Sequence, residues 1–254
     1  MEKLTIIKVG GALVEDAVAL SDLLDRFVVL SGAKVLVHGG GRRATDVADR
    51  MGLHTQMIEG RRVTDLAMLE VVTMVYGGGV NKNIVAKLQE RGVNALGLTG
   101  ADLNYMQATR RAVKTVDYGY VGDISSVNVE LVSLLLERGV LPVLAPLSHD
   151  GKGCMLNVNA DTIAAEAAVA LSSMFDVELI YCFEKPGVLR NSDDDDSLIP
   201  KMQKADFEKL RAEGAIHAGM IPKLENCFSA IERGVSRVRI CNVAGIEGDG
   251  TLLI

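Results

Sequence analysis

Two lysines and an aspartate occupy positions where a charge needs a reason. Lys8 lies inside an otherwise apolar run, residues 4–9 (LTIIKV), immediately before Gly10-Gly11. Burying a bare ammonium is costly, so Lys8 must be paired or serve a ligand. Lys223 follows Gly219-Met220-Ile221-Pro222, a glycine turn with a proline near a helix start. A cation in a first helical turn opposes the helix dipole and hints at an anionic ligand, with a solvated surface lysine as the alternative. Asp161 ends Asn157-Val158-Asn159-Ala160-Asp161, three short polar side chains before an alanine-rich run. One of the three is enough for an N-cap. Arg61-Arg62-Val63-Thr64-Asp65 offers a guanidinium fork suited to a carboxylate, or else an exposed hairpin charge.

Two glycine loops follow two strand-like runs: Gly10-Gly11 after the first, and Gly39-Gly40-Gly41 after KVLVH at residues 34–38. Glycines at the carboxyl ends of parallel strands let the backbone approach a ligand, and the next helix start attracts phosphate. The pair suggests a polyphosphate, against tight turns needing positive φ. Residues 39–44 (GGGRRA) also satisfy G-x-G-x-x-[G/A], with Glu59 farther on, so a dinucleotide-binding oxidoreductase competes. No P-loop sequence and no G-x-S-x-G occurs. His38 and His217 lack partners at metal-ligand spacing, and Asp193 to Asp196 read as a solvated acidic loop.

These residues must be held by alternating strands and helices. Strands are expected at 4–9, 34–38, 93–98, 140–145, 177–182 and, last, 237–241, with a hairpin around Gly60. Helices are expected at 14–30, 44–51, 128–137, from Asn159 or Asp161 to 173, at 204–213 and at 220–233. A long helix capped by Thr64-Asp65 should be interrupted at Gly77-Gly78-Gly79. Repeated strand–helix–strand order implies an α/β fold, a mostly parallel central sheet with helices on both faces. The polar turn near residue 150 suggests two lobes, residues 1–150 and 151–254.

Composition narrows the classes. The 254 residues carry 27 Lys+Arg against 33 Asp+Glu, a net charge of -6, with 4% aromatics. That argues against nucleic acid as a partner. The 26 glycines exceed the usual share of about 7%, while 5 prolines exclude a low-complexity excess. Cys154, Cys182, Cys227 and Cys241 form no C-x-x-C pair and read as reduced thiols of a cytoplasmic protein. No run approaches the ~18 apolar residues of a membrane span, and no signal peptide is apparent.

IIKVGGA, VHGGGRRATD, GRRVTD, NVNADTIA and GMIPKLENCFSAIERGV occur in this order. In this the chain resembles the N-acetylglutamate kinases, a branch of the amino acid kinase family, over nearly its whole length. The resemblance implies a three-layer sandwich in which residues 1–150 bind the acylglutamate and dimerise, while residues 151–254 bind ATP. It implies phosphorylation of the side-chain carboxylate of N-acetyl-L-glutamate by ATP in arginine biosynthesis, with Mg2+ held mainly by the phosphates and no dedicated metal site. Lys8 and Lys223 match the lysines that neutralise the transferring phosphoryl group, and Asp161 the carboxylate that holds them. Gly10, Gly11, Gly40 and Gly41 match the phosphate-loop glycines. Gly39, Arg62, Asn157 and the adjacent Asn159 match the substrate side.

Some segments depart from that pattern. GRRVTD replaces the usual GLRVTD, leaving open a different acyl group such as N-succinylglutamate. Tyr181 to Leu189 (YCFEKPGVL) stand where the family carries a segment like LTDVPGVL, on the nucleotide side. The chain starts at its first strand, without the N-terminal helix of arginine-inhibited hexamers, so a homodimer insensitive to arginine is expected, built through the long helix after Thr64. A binding sensor that lost the chemistry is disfavoured because Lys8, Asp161 and Lys223 are all present.

Overall fold

The computed structural model describes residues 1–58, 60–191, 193–214, 216 and 220–254. Glu59, His217 and Gly219, singled out in the sequence, lie outside these. The chain opens with β1 (Lys3–Val9), α1 (Gly11–Glu15), α2 (Ala17–Val29), β2 (Ala33–His38) and α3 (Gly41–Arg50). The hairpin β3 (Met57–Ile58) and β4 (Arg61–Arg62) precedes α4 (Leu66–Val72), a π-helical stretch (Thr73–Val80) and α5 (Asn81–Glu90). There follow β5 (Ala95–Leu98), β6 (Met106–Arg110), β7 (Gly122–Val127), α6 (Val129–Glu137), β8 (Leu141–Leu144), β9 (Leu147–His149) and β10 (Met155–Asn157). Last come α7 (Ala160–Leu171), β11 (Asp176–Cys182), β12 (Lys201–Met202), α8 (Lys204–Ala212), α9 (Ile221–Glu232), β13 (Arg237–Cys241) and β14 (Thr251–Leu253). The architecture is α/β with mostly parallel sheet strands, as the alternating pattern implies.

Local chemistry explains where the expected elements shift. The single helix anticipated at 14–30 is two, because the Asp16 carboxylate accepts from the amides of Val18 and Ala19 at 2.9 and 3.0 Å and starts α2 afresh. Asp65, not Thr64, caps α4, accepting from the Met68 amide at 2.8 Å. Gly77-Gly78-Gly79 does not interrupt the helical run; it widens it into the π-helical stretch that passes into α5. No atom stands within 4 Å of a Cβ placed on Gly78 or Gly79, so packing does not demand these glycines. The strand at 237–241 is not the last, since β14 pairs antiparallel with it. Gly248 and Gly250 turn the chain between them at φ 159° and 111°.

The compact units also differ from the expected division at residue 150. One unit joins Met1–Lys34 to Ala164–Ile254, and the other is Val35–Ile163. The reason is strand pairing: β1 lies parallel to β11 from Lys3↔Asp176 to Val9↔Cys182, which ties the start of the chain to its last third. The polar turn at 150 only links β9 to β10, an antiparallel pair inside the second unit.

In the first unit the strand order is β12-β14-β13-β11-β1. Leu4, Ile6, Ile7, Val177, Leu179 and Val238 are buried in it. In the second unit β8 lies parallel to both β2 and β5, and a smaller sheet runs β10-β9-β6-β7. No described helix is long and apolar enough to cross a membrane.

Candidate active site

In the first unit, β1, β11 and β13 end in register at Val9, Cys182 and Cys241. The carboxyl ends of parallel strands are where such folds bind ligands, and the chain places two lysines there. Lys8 is 7% exposed, one residue short of the end of β1. Lys223 is the third residue of α9, in its first turn. Both reach one aromatic ring, Nζ of Lys8 standing 5.1 Å and Nζ of Lys223 4.0 Å from the centroid of Phe183. Phe183 is the first residue after β11, its N–H donating to the Cys241 carbonyl at 2.8 Å. The two predicted lysines, 215 positions apart in the chain, are thus brought together.

Gly10 joins β1 to α1. Its N–H donates to the Cys182 carbonyl at 2.9 Å, closing the turn between strand and helix. A Cβ here would meet that oxygen at 3.3 Å and the Phe183 ring at 3.4 Å, so the glycine allows close approach. The first-turn amides without an intrahelical acceptor begin at Gly11, the first residue of α1.

In the second unit the other glycine loop leads into α3. Gly40 has φ 149°, reserved for glycine, and a Cβ there would stand 3.2 Å from the Tyr76 ring. Its carbonyl accepts the first helical bond, from Ala44 at 3.0 Å, so the amides from Gly41 onward form a helix N-terminus of the anion-binding kind. The loop is braced from behind. His38 is fully buried, with Nδ1 2.7 Å from the Gly39 carbonyl and Nε2 3.1 Å from the Asn81 amide nitrogen. A carbonyl only accepts, so Nδ1 carries the proton and Nε2 accepts from Asn81. Burial holds this imidazole down to about 4, neutral at ordinary pH.

Arg62 is not an exposed hairpin charge: it is 7% exposed. Its Nη2 donates to the Gly41 carbonyl at 2.7 Å and to Thr45 Oγ1 at 2.9 Å, and Nη1 to Thr55 Oγ1 at 3.1 Å. The guanidinium therefore stands at the start of α3. Asn157, at the end of β10, donates to Thr64 Oγ1 at 2.9 Å, and Thr64 in turn donates to the Arg62 carbonyl at 3.0 Å. This chain joins GRRVTD to NVNAD, 93 positions apart at Thr64–Asn157. Asn159 is exposed, and its Oδ1 accepts from the amides of Asp161 and Thr162 at 2.8 and 3.4 Å, so it is the helix cap of the three. Asp161 lies in the first turn of α7, where a carboxylate suits the dipole.

Three participants were not singled out as site residues. Phe183 stood only in a segment departing from the family pattern, Thr64 passed as a helix cap, and Tyr76 was not singled out at all. The sequence signal for Phe183 was an aromatic directly after the strand-like run at 177–182. Among the described residues, no three His, Cys, Asp or Glu side chains are grouped to hold a metal ion.

Known proteins resemble this chain in sequence and fold. The chain is 59% identical over 251 residues to the acetylglutamate kinase of Bacteroides thetaiotaomicron, covering 98% of each. A solved structure from Streptococcus mutans UA159 is 29% identical with a TM-score of 0.79, covering 98% of both chains. N-acetylglutamate synthase from Neisseria gonorrhoeae, complexed with coenzyme A and N-acetyl-glutamate, shares the fold at a TM-score of 0.83 and 23% identity. That match spans 98% of this chain and 59% of the synthase. The amino acid kinase family matches residues 3–242, a span that holds both lysines, both glycine loops and Arg62, and the chain belongs to that family.

Proposed function

We propose that the chain transfers the γ-phosphoryl group of MgATP to the side-chain carboxylate of N-acetyl-L-glutamate. The products are N-acetyl-L-glutamyl 5-phosphate and ADP, a carboxyl activation in arginine biosynthesis in the cytoplasm. The observation that carries this reading is the convergence of Lys8 and Lys223 on Phe183 at the strand ends. High identity to an acetylglutamate kinase over almost the whole chain supports the substrate.

The chemistry asks for what these residues offer. A glutamate carboxylate has an ordinary pKa of about 4.3, so it attacks without a general base. The difficulty is bringing one anion against another. Two ammonium groups lower that barrier as charge shifts from the γ-phosphoryl to the leaving ADP. Amides at the starts of α1 and α3 supply further donors. Mg2+ arrives on the nucleotide, since phosphate oxygens and water satisfy most of its coordination. Arg62 is suited to the substrate's α-carboxylate, and Asn157 braces its segment through Thr64. In this reading the unit 35–163 binds the acylglutamate and the other unit binds ATP.

A homodimer through the helical run of α4 to α5 is part of the proposal. Leu66 and Met74 on that run are 59% and 54% exposed, an apolar surface that a second copy would cover. Light scattering at twice the monomer mass supports this; a monomer or hexamer contradicts it. For the reaction, purified protein with MgATP is offered N-acetyl- or N-succinyl-L-glutamate and the acyl phosphate is trapped with hydroxylamine. Hydroxamate with the acetyl substrate supports the reading. Hydroxamate with the succinyl substrate alone moves the acyl assignment, and NADH binding without ATP turnover overturns the kinase.

A further inference from the structure

Phe183 stands where the family resemblance breaks down, and its surroundings give that departure a purpose. Its backbone is fixed at the Cys182–Phe183 peptide: the Phe183 N–H is held by the Cys241 carbonyl at 2.8 Å, and the Cys182 carbonyl by the Gly10 N–H at 2.9 Å. The ring is fixed as well. It lies nearly parallel to Tyr181, 12° between planes and 6.1 Å between centroids, and packs over Gly10, where a Cβ would stand 3.4 Å from it. Both ammonium groups thus lie inside the range of about 6 Å over which a ring quadrupole attracts a cation. The two distances, 5.1 and 4.0 Å, cap the separation of the nitrogens at their sum. Two like charges held within that span repel each other.

We propose that Phe183 is a positioning residue for phosphoryl transfer: its ring gathers Lys8 and Lys223 and offsets their repulsion before the anionic substrates arrive. The inference rests on the reading of these lysines as the groups that neutralise the transferring phosphoryl. Phe183 touches no reacting atom; it acts through the two side chains it holds. Keeping the ring but changing its substituent should preserve this role, whereas an apolar side chain of similar bulk should not.

The test compares Phe183→Leu with Phe183→Tyr in the full chain, beside Lys8→Ala and Lys223→Ala in the same assay. Phe183→Leu is expected to lower kcat by about tenfold with the KM for N-acetyl-L-glutamate unchanged, while Phe183→Tyr stays within about threefold of wild type. Equal rates in wild type and Phe183→Leu overturn the proposal, as does equal loss in the Leu and Tyr variants. Lysine variants that lose activity beside a fully active Phe183→Leu sink this inference alone. Lysine variants with wild-type rates sink the reading beneath it. A second measurement needs no kinetics. In protein labelled with 13C-lysine, the Cε-attached protons of Lys8 and Lys223 should be shifted upfield by the ring in wild type, keep that shift in Phe183→Tyr and lose it in Phe183→Leu. Ordinary lysine shifts in the wild type overturn the proposal even where a variant fails to fold.

Discussion

Arg62 donates from Nη2 to the carbonyl oxygen of Gly41 at 2.7 Å. The arginine proposed to meet the substrate is therefore also a strut under the first turn of α3, and substitution should show both roles. Arg62→Ala is expected to raise the KM for N-acetyl-L-glutamate and to lower unfolding free energy by about 1–3 kcal/mol, since two threonine hydroxyls lose the guanidinium and the Gly41 carbonyl keeps only its Thr45 donor. Arg62→Lys keeps the charge but not the fork, so KM stays raised. Steady-state kinetics with urea unfolding separate the effects, and a change in the KM for ATP alone contradicts the assignment.

Gly40 should tolerate no side chain. Its φ of 149° and the Tyr76 ring 3.2 Å from a built Cβ both oppose alanine. Gly40→Ala is expected to cost about 1–3 kcal/mol. Gly52 has φ 73° with open space around it, so Gly52→Ala should cost less. Urea midpoints measured side by side decide this, and equal losses contradict the packing.

Acid should find the loop's brace. Burial, and secondarily the charge of Lys82, hold the His38 imidazole at about 4 in the folded chain, against 6.5 unfolded. As pH falls through that window the unfolded chain takes the proton first. The stability contributed by neutral His38 is therefore complete above pH 6.5 and lost progressively down to about 4. The loss amounts to about 3 kcal/mol. Urea unfolding at stepped pH should show a steeper decline for wild type than for His38→Asn, which does not titrate. Parallel curves would contradict a neutral buried His38.

The thiols should divide by burial. Cys182, Cys227 and Cys241 are buried and Cys154 is partly exposed. A hydrogen bond with Cys241, then burial, push the Cys182 thiol up, away from the reactive thiolate. Ellman's reagent is expected to label Cys154 rapidly and the other three only on unfolding. Rapid labelling of Cys182 contradicts its place between β1 and β13.

The parts legible in the sequence share a physical basis. Alternating apolar periods and glycine punctuation reveal strands and helices because each signal is local, and Lys8 declared itself by being charged in an apolar run. What escaped depended on distant partners. The pairing of β1 with β11 drew the first 34 residues into the unit with the chain's last third, which no polar turn at 150 could announce. The π-helical stretch kept three glycines inside a helix because neighbouring turns carry it through. Thr64 gained its role from Asn157, 93 positions away, and amide partners chose Asn159 and Asp65 among the caps the sequence offered.

The central claim is most directly met by trapping the acyl phosphate. Wild-type protein with MgATP, N-acetyl-L-glutamate and hydroxylamine should yield one hydroxamate per ADP released. Lys8→Ala and Lys223→Ala, still folded by circular dichroism, should each fall by on the order of 10²-fold or more. Wild-type protein that releases ADP without hydroxamate, or lysine variants that keep wild-type rates, would contradict the account.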